Sequence, residues 1–174
     1  MSTVLFRLPQ AYSYTLSGAA CAVASLHIAG LLFAAVRMVT FNKATMESLR
    51  REFSTTSGIS DETEAVPNQG YPDDGNGRFA KSLDYYYWVV FNRAARGYLN
   101  STEQIANFVL SILLCGIFQP VWAGWLGLLI GAARVIYYLG YAHLGVAVMM
   151  IGEVLAMFPM FFNYGVFFYY LITG

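Results

Sequence analysis

Four stretches of the chain are dominated by apolar residues, at about 14–39, 84–118, 121–141 and 145–172, while the stretch 41–83 is mostly polar. An α-helix needs about 20 apolar residues to cross roughly 30 Å of hydrocarbon, and each of the four runs reaches that length. The pattern predicts an all-α integral membrane protein: one domain over 1–174, a bundle of four transmembrane helices with an enlarged polar loop between the first two. The first run is rich in Gly, Ala and Ser (SGAACAVAS), residues that let membrane helices approach closely. The second run, read as one helix, would be about 50 Å long, so its first third must protrude on the loop side. Tyr85, Tyr86, Tyr87 and Trp88 then form an interfacial aromatic belt. Pro120 suits the start of the third helix, and Pro159 predicts a kink in the fourth.

Polar residues inside these runs are few, and their spacing is informative. In FNRAARGYLNSTE, at about 100° per residue, Asn92, Arg96, Asn100 and Glu103 fall within roughly 80° of one another, and Asn107 joins them one turn later. Charges at membrane depth are costly and mark function. An arginine, amides and a carboxylate on one stripe suit a small zwitterionic ligand, with carboxylates for the guanidinium to fork and an ammonium to hold. On the third helix Arg134, Tyr137, Tyr138 and Tyr141 share a face at i, i+3, i+4 and i+7. That face is either a second wall of the same site or a cation packed on carbonyls and ring faces. Arg37, ending the first span, reads as a snorkelling interfacial cation or as a cation near a ligand's carboxylates. Glu153 stands alone in the fourth span and is either neutral, since burial disfavours a carboxylate, or paired with His27, His143 or a cation from another helix. His27 itself reads as hydrogen-bonded to a neighbouring helix.

These residues carry a family resemblance. The pattern Phe91-Asn92, then Arg96, Asn100 and Glu103, resembles the second-helix signature of the superfamily of membrane-associated proteins in eicosanoid and glutathione metabolism (MAPEG), and GWLGLLIGAARVIYYLGY is similar to its third helix. The branch it most resembles is the microsomal glutathione transferase type-three group. The resemblance implies a homotrimer with glutathione as cosubstrate. It implies that Asn92, Arg96, Asn100, Glu103, Arg134, Tyr137 and Tyr141 bind glutathione and that Arg37, Arg134 and Tyr137 support its thiolate. It further implies the endoplasmic reticulum or an outer organelle membrane.

Composition agrees with a membrane protein and narrows its partners. Hydrophobic residues make up 57% and charged ones 11%, against about 25% charged in soluble domains. Ten basic and ten acidic residues cancel, with no basic cluster, which argues against nucleic acid and leaves membrane lipids and protein subunits as partners. Cys21 and Cys115 have no metal-ligand spacing and read as reduced, buried small hydrophobes, and no metal is expected. The N-terminus carries no small-residue cleavage site of a signal peptide. Lys43, Arg50, Arg51, Arg78 and Lys81 all lie in the loop 41–83, against Arg7 alone on the other side, which puts the loop on the cytosolic or matrix side. Within the loop MESLRREF can form a short helix, while STTSGISDETEAVPNQGYPDDGNG has the makeup of irregular chain.

Activity is the open question. A thiol near neutral pH is mostly protonated until a cation stabilises its thiolate. Active relatives carry a further basic residue beyond the third helix, whereas this chain has AHLGVAVMM there, with His143 the last basic residue after Arg134. One reading is a glutathione transferase or peroxidase acting on lipophilic electrophiles or lipid hydroperoxides. The alternative is a non-catalytic accessory subunit of a larger complex, with the mitochondrial inner membrane as its place; the lost cation, enlarged loop and short C-terminal end favour it. A proton or solute pathway through Glu153 has the least support.

Overall fold

A computed structural model of the chain describes residues 10–57, 68–71 and 73–173; the stretch 58–67, read above as irregular chain, lies outside them. Four helices are long and apolar enough to cross a membrane: α1 (Tyr12–Thr40), α4 (Tyr85–Phe118), α5 (Pro120–Leu139, extended by a wide π-type turn over Gly140–Leu144) and α6 (Val146–Thr173). Between α1 and α4 lie α2 (Lys43–Ser57) and the short α3 (Arg78–Lys81). The helices form an up-down bundle in which the α4–α5 hairpin is central. α1 packs on it from one flank and α6 from the other.

Small residues set the spacing. A Cβ on Gly18 would lie 2.6 Å from the Gly124 carbonyl oxygen, and one on Gly127 would lie 2.7 Å from the Gly18 backbone, so α1 and α5 touch along their main chains. Lipid gives helices no hydrophobic reason to associate, so such contact must come from close van der Waals packing. Between α5 and α6, a Cβ on Gly152 would run into the backbone nitrogen of Tyr137, and one on Gly140 into that of Met149. Those two contacts fix the register of α6 against α5. Gly145, at φ 99°, ends the wide turn in a left-handed conformation that a side chain would resist.

The buried apolar residues fall into two clusters. Phe108, Ile112, Cys115, Ile130, Ala156 and Met160 fill the half away from the loop. Phe33, Phe41, Phe91, Ala94, Ala95 and Tyr138 fill the loop half. Tyr85, Tyr86 and Tyr87 are exposed at the loop side, and Trp122, Trp125 and Tyr169 at the other, so aromatic side chains ring both ends of the bundle.

The described part of the loop next to α4 is built on an aspartate. Asp73 Oδ1 accepts from the backbone N–H groups of Gly75 and Gly77, both at 2.8 Å, and Oδ2 accepts from Ala80 at 2.7 Å. One carboxylate thus folds the turn and caps the start of α3. Gly75, at φ 112°, lets the turn lie on α4, where a Cβ would come within 2.5 Å of Asn92 Oδ1. The DDGNG run that composition read as open loop is therefore a lid seated on the bundle.

Candidate functional site

The register fixed by Gly152 brings the neighbouring Glu153 to Arg134. Arg134 Nη1 donates to Glu153 Oε2 at 2.8 Å, and Nη2 donates to Asn100 Oδ1 at 2.9 Å and to Ser101 Oγ at 3.2 Å. Its guanidinium lies 4.1 Å from the Tyr137 ring centre and 5.3 Å from that of Phe108. Three helices therefore meet on one cation that is 3% exposed. Buried charge is tolerated where every donor has an acceptor, and here both terminal nitrogens do.

Asn100 and Tyr137 thus join Arg134, and Glu153 finds its cation on α5 rather than in His27 or His143. His27 and His143 are exposed, and neither makes a hydrogen bond or ion pair among the described residues. Tyr138 parts from the others on its helix: it is fully buried beside Phe91 and Ala95, with its ring against Gly97. Tyr141 packs on Tyr137, ring centres 5.9 Å apart, and is half-buried.

The stripe on α4 divides. Asn92 donates to the Trp88 carbonyl at 3.0 Å and lies under the Gly75 turn. Asn100 turns inward. Arg96 and Glu103 are exposed on the outer face of α4, and neither has an ion pair or hydrogen bond among the described residues. Arg96, with Tyr141 and Arg134, contributes to the electrostatic field at Tyr137, so the exposed cation borders the buried cluster.

Arg37 stands apart, at the loop end of α1. Its Nη2 donates to Asp74 Oδ1 at 3.0 Å, and it lies over the rings of Tyr71 (4.2 Å), Phe91 (5.1 Å) and Phe33 (5.2 Å). The side chain is 2% exposed, and Nη1 has no partner. It does not snorkel to water; the lid covers it. The sequence reading missed Asp74 as its partner and Asp73 as the lid's organiser, and the pair of aspartates before Gly75 was the available signal.

A cavity of about 300 Å³ at the loop end is lined by Arg93, Gly140, Tyr141, Gly145, Val146 and Met149. A larger cleft of about 750 Å³, lined by Trp122, Phe158, Phe162 and Tyr169, opens at the opposite end. Its walls are mainly apolar and aromatic, and Arg134 is not among them. Both cysteines are free thiols, and no cluster of three or more metal-ligating side chains occurs among the described residues.

The MAPEG family model matches residues 15–165. The chain belongs to the MAPEG family. That match covers α4 and α5 entirely and most of α1 and α6, with Arg37, Arg96, Asn100, Glu103, Arg134, Tyr137 and Glu153 inside it. No curated protein matches the chain significantly. The family includes glutathione transferases and proteins of other function, so membership establishes an integral membrane protein of this fold.

Proposed function

We propose that this MAPEG protein binds glutathione and acts as a transferase or peroxidase on lipophilic electrophiles or lipid hydroperoxides. The observation that carries the reading is the pair Arg96 and Glu103, charged, exposed and without an ion pair or hydrogen bond among the described residues, on the outer face of a membrane helix. Lipid is a poor neighbour for either charge. Seven residues of helix separate them by about 10 Å, and an extended tripeptide spans about the same. Arg96 suits a terminal carboxylate and Glu103 an ammonium, both of which glutathione carries. On this reading Tyr141, half-buried and packed on the buried Tyr137, supplies a hydroxyl to the sulfur. A surface of this kind is completed by a neighbouring copy, which supports a homotrimer with sites between subunits.

One observation favours the accessory-subunit reading. Arg37 and Arg134, the cations expected to support a thiolate, are each already paired with a carboxylate of the chain itself. On the glutathione reading Arg96 is taken by the ligand's carboxylate, and thiolate stabilisation falls to the tyrosine hydroxyls. Turnover of a model aryl halide by the purified protein with glutathione separates the readings. The proposal predicts a rate above background, with Arg96→Ala raising the KM for glutathione about tenfold, the worth of one charge-assisted hydrogen bond. Absence of both turnover and glutathione binding would leave the accessory role.

A further inference from the structure

Where α1 leaves the membrane, a groove of about 580 Å³ separates its end from the amphipathic α2. Apolar walls come from Met38, Phe41 and Met46, and charged ones from Lys43, Glu47 and Arg50. Three charged side chains line one groove, yet none is in an ion pair: the ion pairs among the described residues are Arg37–Asp74 and Arg134–Glu153. Arg50 Nε is shut off from solvent with no hydrogen-bond partner, a donor left waiting for an acceptor. Met38 and Val39, on the last turn of α1, are exposed.

We propose that this groove is a binding site for one phospholipid with a primary-amine headgroup, of the phosphatidylethanolamine type. Two cations and one carboxylate complement a headgroup that carries a phosphate and an ammonium. Lys43 and Arg50 receive the phosphate, Glu47 holds the ammonium, and the acyl chains descend along Met38 and Val39. The depth is right, since headgroups sit where a helix leaves the hydrocarbon. The site is separate from the Arg96 surface and does not depend on glutathione binding.

Native mass spectrometry of the full chain, released from nanodiscs of phosphatidylethanolamine, phosphatidylcholine or phosphatidylglycerol with matched chains, tests the proposal. The expected result is retained phosphatidylethanolamine in preference to the other two. Lys43→Gln and Arg50→Gln should each lower its retention about fivefold, the worth of one basic side chain at the headgroup level. Glu47→Gln should bring phosphatidylethanolamine down to the level of phosphatidylcholine without changing the latter. Equal retention of the three lipids, or a Glu47→Gln protein that keeps the preference, would overturn the assignment. Displacement of the lipid by millimolar phosphoethanolamine would also overturn it, because the acyl chains would then contribute nothing.

Discussion

Removing Glu153 should destabilise the protein far more than removing Arg134. Glu153→Leu leaves the Arg134 guanidinium 97% buried with its Nη1 donor unmatched, while Asn100 and Ser101 still accept from Nη2. A guanidinium cannot shed its proton at any accessible pH. Breaking a buried pair in this way costs about 3–5 kcal/mol. Arg134→Leu leaves Glu153, about a quarter exposed, which can reach water or take up a proton, so about 1–2 kcal/mol is expected. The double Leu variant has no charge left to satisfy and should recover most of the loss, because a well-packed apolar pair is often as stable as the ion pair it replaces. The assay is a double-mutant cycle on detergent-solubilised protein, read as melting temperature and as midpoint in a denaturant titration. At about 2–4 °C per kcal/mol for a chain of this size, Glu153→Leu should lower the midpoint by roughly 10 °C and the double variant by much less. Additive losses, with no coupling between the positions, would refute the claim that Arg134 and Glu153 hold α5 and α6 together as a pair.

Two further outcomes follow from the same geometry. Asp73→Ala removes the acceptor of three backbone hydrogen bonds and should loosen the lid over Arg37, seen as faster protease cleavage within 70–80 while the melting of the bundle shifts little. Gly152→Val places a side chain against the Tyr137 backbone and should cost about 3 kcal/mol by forcing α6 off α5, whereas Gly165→Val, with nothing within 4 Å of its Cβ, should be close to neutral in a thermal melt.

The membrane helices were legible because their signal is local: a run of apolar residues of spanning length has few other uses. Pairings between helices were not, because they depend on register. Glu153 lies 19 residues from Arg134, and no periodicity links them. The link is made by Gly152 and Gly140, whose missing side chains bring two backbones together. Helical angle also overstated what shares a surface. Arg134, Tyr137, Tyr138 and Tyr141 span a face wide enough that Tyr138 turns into the loop-side cluster while Tyr137 stacks on the guanidinium. The α4 stripe straddles the boundary between the inside and outside of the bundle, so Asn100 enters the core and Arg96 and Glu103 do not. Arg37 was ambiguous for a different reason. A snorkelling cation and a buried one look alike in sequence, and the lid that decides between them comes from residues more than 30 positions away, in a stretch whose composition signals only turns.

The most direct test of the proposed glutathione site is the melting temperature of the purified protein with and without glutathione, for the native chain and for Arg96→Ala. A ligand present at about a hundred times its dissociation constant stabilises the folded state by roughly 2.7 kcal/mol, which at this chain length is a shift of about 5–10 °C. The account predicts that shift in the native chain and its loss in the variant, with the unliganded midpoints alike, because Arg96 has no structural partner to lose. No shift at millimolar glutathione, or a shift that survives Arg96→Ala, would contradict it.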